Sequence, residues 1–324
     1  MEINKMWDKY PELKGDLEEV ILLMDRNVKC KDKKIENSIK ELIYSGGKLL
    51  RPSFSIIASR FGNYDKEKSR AVAAALEILH MATLVHDDII DDADTRRGKE
   101  TIQSKYGKNY AVYIGDYLFC VCFKLLATHS ASLASIKMDT KAMEKICLGE
   151  INQMNSKFSL DTSSRKYLSR ISGKTAELFA LSFYSGASES GCSEKLSKMF
   201  FNIGHNIGMA FQIIDDILDY TSNDEELGKP AVSDIKQGIF NLPLIYAINE
   251  NKKAFKFIEG KEFLEDSDVD IIMDLVYEYK GVDKAMDVAV KYTNKAFKLI
   301  DKLPENQYKY ILKEVVEKLL DRTA

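Results

Sequence analysis

Proline is scarce in this chain. Among 324 residues there are only five, at Pro11, Pro52, Pro230, Pro243 and Pro304. Long stretches therefore hold no residue that removes a backbone donor and breaks a helix, which favours an all-α reading. Cysteine offers no framework either. The five present (Cys30, Cys120, Cys122, Cys147 and Cys192) contain no C-x-x-C pair. An odd count without zinc-like spacing fits a reducing, cytoplasmic compartment. Basic runs are missing and the formal net charge is −3, so nucleic acid is a poor candidate partner. Met1 to Gly15 is too polar for a signal peptide, and no apolar run approaches a membrane span, so no transmembrane segment is expected. Convincing β alternation, short repeats and low-complexity tracts are absent as well.

What is present is a helical pattern with a large core: 45% of the residues are hydrophobic, enough to exclude general disorder. Ile21 to Ile43 reads as helix up to Gly46-Gly47, and Pro52 suits the first turn of the next helix, which runs to about Phe61. Ser69 to Asp92 is the clearest helix, with Leu76, Leu79, Ala82, Thr83 and His86 or Asp87 along one side. Asp94 to Lys99 reads as a loop and Gly115 to Ala127 as a central helix. Gly149 to Phe158, Lys166 to Tyr184 and Ser193 to Tyr220 continue the pattern. Thr221 to Gln237 reads as a long loop, and Ala254 to Ala324 as further helices broken near Pro304. The economical expectation is an all-α, single-domain helical bundle over residues 1–324.

Two acidic runs stand out: Asp87-Asp88-Ile89-Ile90-Asp91 and Asp215-Asp216-Ile217-Leu218-Asp219. Each reads D-D-x-x-D, and each follows an apolar helix. Carboxylates beside apolar residues are costly unless something pairs with them. On a helix Asp87 and Asp91 share a face, about 6 Å apart along the axis, as do Asp215 and Asp219. Asp88 and Asp216 sit beside them, able to support the ligands or reach a second metal. Hard carboxylate oxygens suit Mg²⁺, which bridges readily to phosphate oxygens. A solvated acidic helix end explains one such run as well as a metal does, but explains two matched runs poorly. An EF-hand is excluded, because neither run has the twelve-residue loop with its central glycine.

Basic residues cluster beside these motifs. Arg96-Arg97 follows the first run, Lys48 and Arg51 flank Gly46-Gly47, and Lys174-Thr175 and Lys229 complete the set. Arginine presents a planar fork to phosphate oxygens, and lysine a mobile charge. Each alone reads as a surface charge; their grouping with glycine and acidic motifs points to a diphosphate.

The ordered series resembles the trans-type isoprenyl diphosphate synthases, or polyprenyl synthetases. Gly46-Gly47-Lys48-Leu49-Leu50-Arg51-Pro52 looks like the family's G-G-K-x-x-R-P, and His80 through Gly98 like its first aspartate-rich region. Gly115-Asp116, Gly149-Glu150 with Gln153, Lys174-Thr175-Ala176, Phe211-Gln212 through Asp216, Gly228-Lys229-Pro230 and Asp234 also match. Leu49 departs from the pattern where a basic residue is frequent, and Ala231-Val232 stands where many members have a small residue or glycine after Gly-Lys-Pro.

The resemblance implies an all-α fold around a central cavity, in a homodimer, with the two motifs facing across its mouth. It implies Mg²⁺, three ions with the allylic diphosphate bound, held by Asp87, Asp91 and Asp215 with Asp88, Asp216 and Asp219 assisting. Arg96, Lys174, Gln212 and Lys229 would contact the allylic diphosphate. Lys48, Arg51, His80 and Arg97 would hold isopentenyl diphosphate, and Thr175 and Gln212 would lie near the developing cation. A lone histidine such as His80 is more often a core residue. Its place seven residues before Asp87, with the family match, favours diphosphate contact.

The activity implied is prenyl transfer: condensation of isopentenyl diphosphate with an allylic diphosphate to an all-trans polyprenyl diphosphate. In such enzymes the residues one turn before the first acidic run often floor an apolar product tunnel. Here Ala82 and Thr83 are small, with Leu79, Leu76 and Ala75 further back and Phe119 or Phe123 as walls. The expected product is medium- to long-chain, heptaprenyl as the central value, handed on to a membrane. The bland alternative is that Ala82 and Thr83 only pack helices. Rival readings are a short-chain farnesyl or geranylgeranyl synthase, a catalytic subunit working in a heteromer with a regulatory subunit, a non-catalytic subunit, and a class I terpene cyclase. Intact acidic and basic motifs argue against a non-catalytic subunit, and the second D-D-x-x-D with the Gly-Gly-Lys turn argues against a cyclase.

Overall fold

A computed structural model describes residues 3–96, 98–129, 133–154, 157–221 and 233–321. The fold is all-α. Helices α1 (Pro11–Asn27), α2 (Lys33–Ile43), α3 (Leu50–Ser59) and α4 (Lys66–Ile90) are followed by a ribbon of β1 (Thr95–Arg96) and β2 (Lys99–Glu100). Then come α5 (Ile102–Tyr106), α6 (Lys108–His129), α7 (Leu133–Met154), α8 (Ser164–Ile171), a π-helical turn (Ser172–Ala176), α9 (Glu177–Glu189) and α10 (Glu194–Thr221). The chain continues with α11 (Ser233–Lys236), α12 (Leu242–Glu250), α13 (Asp266–Glu278), α14 (Gly281–Ile300) and α15 (Gln307–Leu320). It forms two compact units, Met1–Asp139 with Leu181–Phe201 and Thr140–Ala180 with Asn202–Ala324.

In the first unit α4 packs against α6, α3 and α1. Ala71, Ala73, Ala74 and Ala75 are fully buried along α4, and their small side chains let neighbouring helices come close. Phe54 stacks on Phe183 with ring centres 4.6 Å apart, and Phe183 lies 6.2 Å from Phe200. Buried Asp16 is held by Arg60 at 2.6 Å, Arg70 at 2.8 Å and the Tyr64 hydroxyl at 2.9 Å, which a charge away from water requires. In the second unit α12 packs against α14, α13 and α8. Lys309 donates to the Asp301 and Leu303 carbonyls and to Glu305, closing the turn between α14 and α15 around Pro304.

Five local expectations are corrected. Ile21 to Ile43 is two helices: Val28 is extended, and Asp32 caps α2 by accepting from the Lys34 N–H. The Tyr117 hydroxyl grips both backbone groups of Lys29 in the intervening turn. Lys166 to Tyr184 is interrupted by the π turn. The expected loop from Asp94 contains the short ribbon, Thr95 opposite Glu100 and Arg96 opposite Lys99. Finally, α6 is long and apolar enough to cross a membrane by length and composition. One side of it is buried through Ala111, Ile114, Leu118, Val121 and Leu125, as in the core helix of a helical protein. In the expected loop after Thr221, Ser233–Lys236 is helical and residues 222–232 lie outside the described residues.

Candidate active site

Both acidic runs lie at the C-terminal ends of long helices. In α4, Asp87 and Asp88 occupy the last turn and Asp91 is the C-cap residue. Asp92 adopts φ +53°, and the Ala93 N–H bonds back to the Asp88 carbonyl at 2.9 Å, the left-handed closure that ends many helices. In α10, Asp215, Asp216 and Asp219 fill the last two turns. Neither last turn contains a basic residue. Carboxylates there meet the negative end of the helix dipole, so each end is electrostatically primed for a cation.

The middle aspartate of each run is tied to protein. Asp88 is buried and accepts from Arg96 Nε at 2.6 Å. Burial raises its carboxyl above the usual range, while Arg96 pulls it down. Asp216 is buried too, accepting from the Tyr167 hydroxyl at 2.6 Å and from Gln212 Nε2 at 2.8 Å. Burial pushes its carboxyl up to about 6 against the pull of those two hydrogen bonds. The outer aspartates, Asp87 and Asp91 in one run and Asp215 and Asp219 in the other, are half-exposed.

In the second unit a chain of contacts leads from Asp216 to the Lys-Thr motif. Thr175 Oγ1 donates to Gln212 Oε1 at 2.7 Å. Lys174 pairs with Glu150 of α7 at 2.9 Å. Both Lys174 and Thr175 lie in the π turn, closed by the Glu177 N–H on the Ser172 carbonyl, a geometry common at functional sites. Close helix approaches hold this turn. A Cβ on Gly173 would stand 2.9 Å from the Lys145 carbonyl, one on Gly149 3.1 Å from the Lys174 nitrogen, and one on Gly208 2.6 Å from the Ala176 Cα.

In the first unit a pocket of about 880 Å³, open mouth included, is lined by Glu77, His80, Met81, Leu84 and Asp88 of α4, with Gly46, Leu49, Arg96 and Ile102. Gly46 at φ +81° and Leu49 at φ +48° shape the Gly-Gly turn that enters α3. Leu49, the departure noted in the sequence, faces this pocket. Lys48 is exposed, and its carbonyl accepts from the Trp7 indole at 2.8 Å. Arg51 is half-buried in the first turn of α3. Leu79 and Ala82 are buried and Thr83 is half-buried, its hydroxyl on the His80 carbonyl at 2.7 Å. They follow another stripe of α4, the one shared with His86, whose ring lies 5.4 Å from Phe119 of α6. Arg97 and Lys229, with Gly228, Pro230, Ala231 and Val232, lie outside the described residues.

Of the residues singled out in the sequence, Thr175, Gln212 and Asp216 are linked to one another by hydrogen bonds, and Lys174 lies in the same turn as Thr175. Tyr167, His205 and Ser172 were missed, being single polar residues outside any recognisable motif. Glu150 was named only as part of a motif, without its pairing to Lys174.

An all-α fold whose long helices end in matched acidic runs, with a lysine–threonine turn built beside one of them, defines a narrow class. The chain belongs to the polyprenyl synthetase family, whose sequence model matches residues 32–276, and it is an enzyme that transfers prenyl groups. It is 38% identical over 312 residues to heptaprenyl diphosphate synthase component 2 of Geobacillus stearothermophilus, covering 96% of this chain and 97% of that one. The crystal structure of geranylgeranyl pyrophosphate synthase from Lactobacillus brevis superposes with a TM-score of 0.93 at 37% identity, covering 98% and 99% of the two chains. That of polyprenyl synthase from Caulobacter crescentus CB15, complexed with calcium and isoprenyl diphosphate, gives 0.90 at 32% identity, with 97% of each chain covered.

Proposed function

We propose that the chain condenses isopentenyl diphosphate with an allylic diphosphate, in a Mg²⁺-dependent reaction, to an all-trans medium- to long-chain polyprenyl diphosphate. The observation that carries this is the placement of two matched acidic runs at the C-terminal ends of long helices whose last turns contain no basic residue. Among the described residues no three His, Cys, Asp or Glu side chains form a ready-made metal cage. Mg²⁺ commonly takes one or two carboxylates and completes its shell with water and substrate phosphate, so the donor set fits. Asp87, Asp91 and Asp215 would hold the metal with Asp219 beside them. Asp88 and Asp216, already bonded to Arg96 and to Tyr167 and Gln212, support rather than ligate. A relative's complex with calcium and isoprenyl diphosphate supports the pairing of metal and diphosphate.

When bound, Mg²⁺ draws charge from the allylic diphosphate and weakens its C1–O bond. Lys174 and Arg96 add positive charge where the leaving oxygens collect theirs. Thr175 and Gln212, hydrogen-bonded to each other, would lie near the developing allylic cation. Lys48, Arg51 and His80 hold isopentenyl diphosphate so that its double bond attacks C1, and proximity supplies much of the rate. A C–C bond forms, the C1–O bond breaks, and the proton lost from isopentenyl diphosphate leaves with the departing diphosphate. Arg97 and Lys229 are assigned to the two diphosphates on the family motif alone.

Heptaprenyl remains the central product length, supported by the 38%-identical relative. That relative's designation as component 2 supports a second reading, in which this chain is the catalytic member of a heteromer. A homodimer and a cytoplasmic location complete the proposal. The test is incubation of purified protein with isopentenyl diphosphate and a panel of allylic primers, with Mg²⁺ or with chelator, followed by product sizing. Metal-dependent elongation is expected; a cyclised hydrocarbon would point to a cyclase instead.

A further inference from the structure

The π turn is held at each of its positions. Gly173 lies against the Lys145 carbonyl, Lys174 pairs with Glu150, Thr175 bonds Gln212 and Ala176 lies against Gly208. Just after the turn, Glu177 accepts from Lys145 at 2.8 Å. The first residue, Ser172, is held by a group that the proposed reaction does not use. Its hydroxyl lies 2.9 Å from Nε2 of His205 on α10. His205 sits seven residues before Gln212, two helical turns along the same face. One stripe of α10 therefore grips the turn at its first and fourth residues, through His205 on Ser172 and Gln212 on Thr175.

We propose that His205 is a positioning residue for the allylic diphosphate: its bond to Ser172 sets the π turn in the register that presents Lys174 and Thr175. The physical reason is the turn's weakness on its own. A π turn inserts an extra residue into a helix and is rare beside the α form, so side-chain anchors decide its register. Reversion to α geometry would rotate the following residues by about 100°, carrying Lys174 and Thr175 away from Glu150 and Gln212. The ring's own chemistry suits an anchor rather than a proton carrier. Burial, with Lys145 and Lys295 nearby, lowers its pKa and keeps it neutral, and a neutral imidazole nitrogen and a hydroxyl can share one hydrogen bond in either direction. This inference rests on the assignment of Lys174 to the diphosphate.

The test compares His205→Ala, Ser172→Ala, their double variant, His205→Gln and Lys174→Ala in the full-length protein. The readouts are KM for the allylic and isopentenyl substrates, binding of inorganic pyrophosphate with Mg²⁺ by calorimetry, and Tm. Expected are rises of about five- to tenfold in allylic KM and in the pyrophosphate dissociation constant for either alanine variant, the scale of one hydrogen bond. The double variant should be no worse than either single one, His205→Gln should recover most of the loss, and the isopentenyl KM should stay level. Additive losses, or unchanged allylic KM and pyrophosphate binding in His205→Ala while Lys174→Ala is impaired, would overturn the positioning role alone. Unimpaired pyrophosphate binding and allylic KM in Lys174→Ala would overturn the diphosphate assignment beneath it.

Discussion

Tyr167 donates its phenolic hydrogen to Asp216 Oδ2 at 2.6 Å, on a carboxylate only 9% exposed. The burial of that carboxylate, which outweighs the pull of the Tyr167 hydrogen bond, has a consequence for stability in the metal-free protein. Burial raises the Asp216 pKa from an ordinary 3.8 to about 6, so folding favours the protonated form. A raised carboxylate stabilises the fold most at low pH and loses that contribution as pH climbs through about 6. The displacement corresponds to roughly 3 kcal/mol. Asp216→Asn removes the charge at similar volume. In the presence of chelator, its stability relative to wild type should rise between about pH 4 and pH 6 and level off above. Denaturant unfolding across that range checks it, and a flat difference would show that Asp216 is not displaced.

The contact between α10 and the π turn can be tested by adding one methyl group. In Gly208→Ala the new Cβ would meet the Ala176 Cα at 2.6 Å and its Cβ at 3.1 Å, so backbone must move. A loss of about 1–3 kcal/mol is expected, with turnover falling more than stability because the shift reaches Thr175 and Gln212. Gly15→Ala in α1 is the control. Nothing lies within 4 Å of its added Cβ, and helix propensity predicts a gain of about 0.5–1 kcal/mol.

Product length should respond to α4 at Thr83 more cleanly than at Ala82. Ala82 is fully buried, so a phenylalanine there overpacks the core. Thr83 is half-buried and can carry a ring with less distortion. Thr83→Phe should shorten the main product by one or more isoprene units, read by chromatography of the dephosphorylated products. An unchanged spectrum would remove this stripe from the tunnel.

The fold was legible because proline is rare and apolar spacing is strong, and the acidic runs because their spacing repeats. The helix ends that give those runs their electrostatic setting were legible for α4 only in part: Asp91 proved to be its cap. The π turn was hidden, since Ser172 to Ala176 continues a helical pattern and its geometry depends on Gly149 and Gly208, distant in sequence. Tyr167 and His205 were hidden for a related reason. A single polar side chain outside a motif gains meaning only from its partner, here Asp216 and Ser172. The ribbon at Thr95 to Glu100 is too short for alternation to register.

In the proposed condensation the outer aspartates are the metal holders. The direct measurement is Mg²⁺-dependent incorporation of labelled isopentenyl diphosphate by wild type, Asp87→Ala and Asp215→Ala, with circular dichroism confirming the helical fold of each. Both variants should lose turnover by a factor of at least about 10²–10³, the scale of a lost electrostatic contact to the transition state, while staying folded. Near-normal turnover by both folded variants would contradict that role.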